Sequence, residues 1–160
     1  MMHFTQYESP LGRLLLAASE EGLSGIYFEE HRHFKGSAGW QPAINLAPLQ
    51  EAARQLDEYF AGKRIAFNLP LDMQGTEFQR RVWHALMEIP FGQTVSYAEQ
   101  AKRIGKPGAV RAVGAAIGRN PISIVIPCHR VIGTSGRLTG YAGGIERKSA
   151  LLALEAFQSD

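Results

Sequence analysis

The chain of 160 residues contains a single cysteine, Cys128, and it lacks any apolar run long enough to span a bilayer. A single cysteine cannot form an internal disulfide, and it cannot supply the several ligands that a cysteine-based zinc site needs. The first residues lack the basic and apolar regions of a secretory signal. We therefore expect a cytoplasmic protein with no membrane partner. Hydrophobic residues make up 45% and charged residues 20%, an ordinary globular composition for one domain or two small ones.

The charge is distributed unevenly along the chain. Residues 1–72 contain 6 Lys/Arg and 9 Asp/Glu, a net charge of −3, whereas residues 73–160 contain 11 and 6, a net charge of +5. A basic half beside an acidic half is typical of a polyanion-binding module joined to a module that does not bind. Chance patterning remains the alternative when charge is considered alone.

Residues 1–72 predict a small β-rich unit with one helix. Three runs of apolar residues are separated by turn residues, and a later stretch has apolar residues at helical spacing. His31 and His33 lie in a polar stretch without a carboxylate or cysteine partner nearby, so we interpret them as solvated loop residues and predict no metal. The predicted elements are strands 4–8, 13–18 and 22–28, a loop 29–45, helix 48–60 and an extended run 65–71.

The second half of the chain predicts two short helices joined by a glycine-containing turn. Thr76 and Gln79 form the pattern of a capping box at the start of a preceding helix. Ser96 is suited to cap the first short helix, which continues through Gln100 to Ile104 and stops at Gly105. Pro107 begins the second, which we place at residues 108–118. This arrangement predicts a helix-turn-helix, followed by a glycine-rich loop at 133–144 and a last helix at 145–157.

The helix predicted at residues 108–118 consists almost entirely of small residues, with Arg111 as its one long side chain. Glycine weakens a helix, so such a composition needs another reason. Small residues allow close approach to another surface. One interpretation is a helix packed inside the protein, and the other is a helix pressed into a DNA groove with Arg111 as the probe.

The cysteine follows a short apolar run, residues 122–126, and Pro127. We interpret the run as a buried strand or extended segment that ends at this proline. His129 and Arg130 come directly after the sulfur, and neighbouring cations favour the nucleophilic thiolate. The simpler alternative is that Cys128 is a small buried hydrophobe.

The sequence of residues 124–131, Ile-Val-Ile-Pro-Cys-His-Arg-Val, resembles the active-site signature of the O6-alkylguanine-DNA alkyltransferases, also called methylated-DNA–protein-cysteine methyltransferases. The resemblance covers residues 76–155, with several motifs in matching order. It implies an α+β fold. A small N-terminal domain at residues 1–72 would hold an antiparallel sheet and a helix. A winged helix-turn-helix domain at 73–160 would bind DNA and hold the catalytic cysteine.

The resemblance also implies roles for individual residues. Cys128 would accept the alkyl group, His129 would act as a base through a water molecule, and Glu155 would orient His129. Asn120 would brace the turn before the cysteine, and Tyr97 would meet the rotated phosphate. Arg111 would fill the gap left by the flipped base, and Tyr141 would pack on that base. The further residues that we expect to contact substrate or DNA are Ala112, Gly114, Ala115, Ser123, Arg130, Val131, Ala142 and Gly143.

The chemistry of the residues agrees with this prediction. Removal of an alkyl group from a guanine oxygen is an in-line displacement at carbon, which needs a thiolate nucleophile. Tyr97 is the best candidate for the proton donor to the leaving base. The target lies inside the duplex, so the nucleotide must be flipped out. We therefore expect a single-turnover protein without a cofactor. Its partner would be duplex DNA containing O6-alkylguanine, with O4-alkylthymine as a minor substrate. We expect a monomer, and cooperative binding along DNA stays open.

Three other functions would each account for part of the sequence. A non-catalytic sensor of alkylated bases shares this fold, but its cysteine is commonly replaced by tryptophan, whereas Cys128 is present. A winged-helix transcription regulator needs several base-reading side chains, and the helix at 108–118 offers only Arg111. A cysteine hydrolase using Cys128 and His129 leaves the DNA-binding half unexplained.

Overall fold

The computed structural model describes residues 1–43, 45–136, 138 and 140–158. Contacts divide the chain into two compact units. Unit 1 comprises residues 1–74 together with 121–123, and unit 2 comprises residues 75–120 and 124–160. The chain therefore changes unit two residues after the predicted boundary, and it enters unit 1 again for three residues just before the cysteine.

Unit 1 is a four-stranded sheet with one helix. Strands β1 (His3–Ser9), β2 (Gly12–Ala18) and β3 (Leu23–Phe28) form an antiparallel meander, in which His3 pairs with Ala18 at the far end of the first hairpin. A short strand β4 (Gln41–Pro42) pairs in parallel with β1. The sheet is therefore mixed, with strand order β3-β2-β1-β4, rather than purely antiparallel as predicted. The sequence gives no signal for β4, which is only two residues long and lies inside the predicted loop.

Helix α1 (Ala47–Phe60) covers this sheet with its apolar face. Leu49, Leu56 and Tyr59 are completely buried, as the helical spacing of the apolar residues predicts. Pro48 lies in the first turn, where the missing amide proton costs nothing. Gly62 follows the helix with a φ of 74°, a conformation that suits glycine at a helix end. The extended run 65–71 forms no strand and makes a single bridge between Leu71 and β3.

His31 is buried rather than solvated, so that part of the prediction was wrong. The loop after β3 carries its own aromatic cluster, in which the rings of Tyr27 and Phe34 stack at 4.5 Å and the ring of His31 meets Tyr27 edge-on. His31 Nδ1 also accepts a hydrogen bond from the backbone of His33. His31 therefore helps to order this loop. The structure shows no cluster of three or more potential metal ligands in the part of the chain that it describes.

Unit 2 is mainly helical, and its helix ends follow the capping signals of the sequence. Thr76 and Gln79 form the reciprocal hydrogen bonds of a capping box before α2, and Ser96 accepts a hydrogen bond from the Glu99 backbone before α3. Pro107 and Gly108 precede α4 rather than beginning it, because the helix starts only after Ala109. The elements are α2 (Glu77–Leu86), β5 (Val95–Ser96), α3 (Tyr97–Arg103), α4 (Val110–Gly118), a short 3-10 helix (Cys128–Arg130), β6 (Val131–Ile132) and α5 (Ile145–Gln158).

The core of unit 2 forms around Trp83 of α2, which is almost fully buried. Its indole Nε1 donates a 2.8 Å hydrogen bond to the carbonyl of Ala116 and so holds α4 against α2. Strands β5 and β6 pair in parallel. Among its described residues, the loop 133–144 contains no strand. No helix in the described part of the chain has both the length and the apolar character needed to cross a membrane.

Candidate active site

Cys128 is 6% exposed and begins the 3-10 helix directly after Pro127. The predicted strand before it is absent, because residues 123–126 form turns and only Ile122 makes an isolated bridge, to Ile26 within unit 1. Ile124 has a φ of 72°, a conformation that β-branched residues rarely adopt. A buried segment is apolar in sequence whether its backbone turns or extends. The prediction of a buried strand or extended segment at residues 122–126 was wrong for this reason.

Asn120 ties the turn to the sulfur. Its side-chain Nδ2 donates to the carbonyl of Ile126 at 2.9 Å and to Cys128 Sγ at 3.1 Å, and the residue is 1% exposed. Burial raises the pKa of the Cys128 thiol, and the hydrogen bond from Asn120 opposes that shift only in part. The resting site therefore holds a thiol, and the reaction needs a group that accepts its proton.

His129, Glu155 and Arg130 form a buried network beside the cysteine. His129 Nε2 lies 2.6 Å from Glu155 Oε2. Arg130 donates to both carboxylate oxygens of Glu155, at 2.8 and 3.0 Å, and to the carbonyl of Ile89 at 2.7 Å. Burial raises the pKa of Glu155, but the hydrogen bonds from His129 and Arg130 outweigh it and lower the pKa to about 2. Glu155 is therefore ionised at neutral pH.

The same network keeps His129 neutral. Burial lowers the pKa of His129 and outweighs the favourable hydrogen bond from Glu155, while the charges of Arg130 and Lys148 lower it further. A neutral imidazole that donates Nε2–H to Glu155 carries its lone pair on Nδ1. This Nδ1 atom is buried and has no hydrogen-bond partner among the described residues. The arrangement presents a base with a free lone pair in the required tautomer.

Arg130 was expected to contact substrate or DNA, and the structure gives it a different place. The guanidinium is buried against Glu155, and it also lies 5.7 Å from the centroid of the Phe91 ring. Its charge is therefore matched inside the protein. Two further residues that were predicted to contact substrate or DNA, Val131 and Ser123, are also buried. Val131 pairs with Val95 in the two-stranded sheet of unit 2. Ser123 belongs to unit 1, where its backbone amide donates a hydrogen bond to the carbonyl of Ile26.

Helix α4 has one packed face and one open face. Val113, Ala116 and Ile117 are buried, whereas Arg111, Ala112 and Ala115 are exposed and Gly114 is half-buried. A Cβ atom added to Gly114 would lie 3.7 Å from the Tyr97 ring, which places Tyr97 next to this helix. The exposed face thus combines small residues with one long cationic side chain.

The glycine-rich loop brings a second tyrosine to the site. Tyr141 is buried, and its interaction with Cys128 lowers the pKa of the thiol. Gly143 is also buried and Ala142 is half-buried. The structure therefore places Asn120 and Tyr141 against the sulfur of Cys128 and joins Glu155 to the neighbouring His129.

Lys148 is a site residue that the sequence interpretation missed. It lies on α5, is completely buried, and its Nζ is 5.8 Å from the centroid of the Tyr97 ring. The sequence contained a signal for this residue. Spacings of three, four and seven residues place on one helical face Lys148, Leu151, Leu152 and Glu155. A lysine on the apolar face of a predicted helix indicates either snorkelling or a buried charge.

Models of one known protein family match both halves of the chain. Residues 77–157 match the family model for the DNA-binding domain of 6-O-methylguanine DNA methyltransferase, and residues 2–73 match the model for its ribonuclease-like domain. The chain belongs to the O6-methylguanine DNA methyltransferase family. The family predicted from the Pro-Cys-His-Arg motif is thereby confirmed.

Proteins named methylated-DNA–protein-cysteine methyltransferase resemble the chain over nearly its whole length. The one from Mycolicibacterium paratuberculosis is 50% identical over 97% of this chain and 93% of its own. The one from Methanosarcina acetivorans is also 50% identical, over 96% and 98% of the two chains.

Solved structures agree with these relatives. The Mycobacterium tuberculosis O6-methylguanine methyltransferase has a TM-score of 0.91 at 48% identity and covers 100% of this chain and 96% of its own. A structure of the M. tuberculosis protein in complex with DNA has a TM-score of 0.89 at 48% identity, over 98% and 94% of the two chains. The predicted α+β fold is confirmed by this match.

Proposed function

We propose that this protein repairs DNA by transferring the alkyl group of O6-alkylguanine irreversibly to Cys128. The observation that carries the proposal is the buried thiol of Cys128, hydrogen-bonded by Asn120 and placed beside a neutral His129. Membership of the O6-methylguanine DNA methyltransferase family and the relatives named after this activity support it. The protein would act as a monomer, without a cofactor, and with O4-alkylthymine as a minor substrate.

The first step of the proposed reaction produces the nucleophile. His129 accepts the proton of Cys128 at Nδ1, through a bridging water molecule as the family resemblance implies, and Glu155 stabilises the imidazolium that forms. Burial lowers the pKa of His129 and keeps it unprotonated in the resting site, and the charge of Arg130 lowers that pKa further. The thiolate then attacks the alkyl carbon while the bond from that carbon to O6 of guanine breaks.

The second step neutralises the departing base. The electrons of the broken bond leave a negative charge on the guanine ring, which takes a proton from the hydroxyl of Tyr97. The imidazolium of His129 returns its proton to the phenolate, so that the net change moves one proton from the thiol to the base. The reaction leaves a thioether on Cys128, and we assign to none of the described residues the role of cleaving it. The protein is therefore consumed after one transfer.

DNA would be bound by the open face of α4. The exposed Ala112 and Ala115 allow close approach, and Arg111 projects from the same face. Insertion of Arg111 into the base stack would offset the cost of flipping the nucleotide, which is on the order of a few kcal/mol. The relative in complex with DNA supports this use of the fold.

Mass spectrometry after mixing the protein with duplex DNA that contains O6-methylguanine tests the proposal. We expect one added methyl group on Cys128 and an equal amount of restored guanine. Cys128→Ser serves as the control and should show complete loss of transfer with DNA binding kept, because α4 lies elsewhere on unit 2. Unmodified Cys128 with intact methylguanine would show that the protein is only a reader of damage.

A further inference from the structure

Unit 1 contains a cavity that the proposed reaction does not use. Its volume is about 350 Å³, within the range of pockets that hold small organic molecules. Every residue that lines it lies between positions 6 and 34, so the cavity belongs wholly to unit 1. None of the residues of the candidate active site contributes to its lining. The cavity is therefore a feature that needs an explanation of its own.

The floor of the cavity is the sheet face opposite α1. Successive side chains of a strand point to opposite faces of a sheet. Leu14 and Leu16 of β2 are completely buried toward α1, so the half-buried Leu15 between them points to the other face. Its direct cross-strand neighbours are Gln6 on β1 and Tyr27 on β3, and all three residues line the cavity. The pairing of the strands thus produces a flat floor with an apolar centre.

An aromatic pair forms one wall of the cavity. The ring of Phe34 stacks on the ring of Tyr27, with their centroids 4.5 Å apart and their planes inclined at 27°. The ring of Trp40, 6.0 Å away, supports Phe34 from further along the same loop. Tyr27 and Phe34 are only half-buried. Because the face of an aromatic ring carries partial negative charge, this wall suits a flat ligand and a cationic one in particular.

Carboxylates outnumber cations around the cavity. Arg13, Glu29 and Glu30 line it, and Glu8 forms a 2.6 Å ion pair with Arg13. The guanidinium of Arg13 is thus bound to a carboxylate. Glu29 accepts a hydrogen bond at 3.2 Å from the backbone amide of Arg13, which carries no charge. Three carboxylates and one guanidinium leave an excess of negative charge, and this excess favours a cationic ligand.

Glu30 has a backbone conformation that its residue type rarely adopts. Its φ is 63°, in the left-handed region, which glycine or asparagine would occupy with less strain. The turn itself therefore does not require a glutamate. Strained backbone positions of this kind cluster where a ligand is held. The residue places an exposed carboxylate at the rim of the cavity.

We propose that this cavity is a binding site for a planar aromatic cation, meaning a flat ring that carries a positive charge or bears a cationic group. The ring would lie on Leu15 and against Phe34, and the positive charge would face the carboxylates of Glu29 and Glu30. Binding involves no covalent step and does not rest on the proposed alkyl transfer.

Benzamidinium, benzamide and benzoate test the proposal, because they have nearly the same shape and differ in charge. Each is titrated into the isotope-labelled protein and followed by NMR. We expect benzamidinium to bind with a Kd on the order of 1 mM or lower, at least about tenfold more tightly than benzamide, and benzoate to bind most weakly. The amide signals of Leu15, Tyr27 and Phe34 should shift. Equal affinities, absence of binding, or shifts confined to residues outside the cavity would overturn the proposal.

Replacement of Glu30 by Asn tests the charge at the rim. Asparagine tolerates a positive φ, so the melting temperature should equal or exceed that of the wild type. Benzamidinium should bind about fivefold more weakly, and benzamide should bind as before. Glu21→Gln, which removes an exposed carboxylate in the turn at the opposite end of β3, is the matched control and should change neither affinity. Wild-type affinity for benzamidinium in Glu30→Asn would refute the assigned position of the cation.

Replacement of Phe34 by Leu tests the aromatic wall. The change keeps an apolar side chain and removes the π face, so benzamidinium should lose more affinity than benzamide. Equal losses for the two compounds would show that the wall acts by apolar contact alone and would contradict the proposal. If this variant does not fold, the charge series on the wild-type protein still decides the question.

Two further ligands distinguish the sources from which such a cation could come. N1-methyladenosine is a nucleoside whose purine ring is positively charged, and phenethylammonium is an aromatic amine. At least one of them should bind more tightly than its neutral counterpart, adenosine or phenethyl alcohol, and the tighter of the two identifies the source. If neither binds more tightly than its neutral counterpart, the proposal is wrong.

Discussion

Units 1 and 2 bury different kinds of polar side chain. Among the described residues, the buried polar side chains of unit 1 are uncharged or histidine: Ser24, His31, Gln55 and Ser123. Unit 2 buries three side chains that ionise at neutral pH in water, together with the histidine that they surround: Arg130, Lys148, Glu155 and His129. Buried ions oppose folding unless they are paired, so a set of them in one unit indicates function rather than stability.

Gln55 shows what a buried polar group does in unit 1. Its amide donates to the carbonyl of Asn68 and accepts from the Asn68 backbone amide, both at 2.9 Å, and so fixes the chain after α1. Glu155 is as deeply buried in unit 2, but its partners are a base and a cation beside the only cysteine. The first arrangement closes a loop, and the second sets the protonation state of a reactive group.

Replacement of Glu155 by Gln should have the largest effect. The amide can donate to His129 Nε2, which would favour the tautomer with a proton on Nδ1 and remove the base. We expect transfer at least about a hundredfold slower, and unfolding easier by about 3–5 kcal/mol because Arg130 loses its partner. Single-turnover kinetics and urea unfolding measure the two effects.

Leu56→Ala in unit 1 is the matched control for the change at Glu155. It removes a fully buried side chain of α1 and should cost about 2–5 kcal/mol. Iodoacetamide should nevertheless react with Cys128 at the wild-type rate under native conditions. A similar loss of thiol reactivity in both variants would show that the difference between the two units is only one of stability.

Acid should weaken the protein through Glu155. Its pKa falls from an ordinary value of 4.5 to about 2 in the folded protein. A carboxylate with a lowered pKa contributes stability above about pH 4.5, and this contribution is lost as the pH falls toward 2. The loss amounts to about 3 kcal/mol. Urea unfolding between pH 5 and pH 2 should show a steeper decline for the wild type than for Glu155→Gln, and parallel curves would contradict this assignment.

Alkylation of Cys128 should make the protein less stable. Cys128 is 6% exposed, and its sulfur accepts a hydrogen bond from Asn120. An added methyl group overfills the site, at a cost of about 1–3 kcal/mol, and the ability to form the thiolate is lost. A benzyl group should destabilise more than a methyl group. Thermal melts before and after stoichiometric reaction measure the difference, and an equal or higher melting temperature in both alkylated forms would refute it.

Replacement of Arg111 by Ala should have the smallest effect in this series. The size of the effect should depend on the substrate. Arg111 is exposed on α4, so stability should change by less than about 0.5 kcal/mol. Repair of duplex DNA should slow by about tenfold, because the flipped state loses the side chain that fills the gap. Reaction with free O6-benzylguanine should be unaffected. Equal losses on both substrates would instead place Arg111 in the chemistry or the folding.

Local sequence determined the helices of both units and strands β1, β2 and β3 of unit 1. Thr76, Ser96 and Gly62 mark helix ends through their own hydrogen bonds or backbone preferences, which depend on near neighbours. The period of apolar residues set the buried faces of α1 and of β2, where Leu14 and Leu16 are fully buried. The Pro-Cys-His-Arg motif identified the family, because it combines a reactive residue with fixed neighbours.

Tertiary structure alone decided the electrostatics of the site. Arg130 was expected to face substrate or DNA, but it pairs with Glu155, 25 residues away in the sequence. The segment before Cys128 turns rather than extends, since Asn120 and strand β3 take its backbone hydrogen bonds. Lys148 is fully buried, 5.8 Å from the centroid of the Tyr97 ring, and these two residues are 51 positions apart in the sequence. Burial and charge pairing depend on every neighbour in space, and a one-dimensional pattern records only neighbours along the chain.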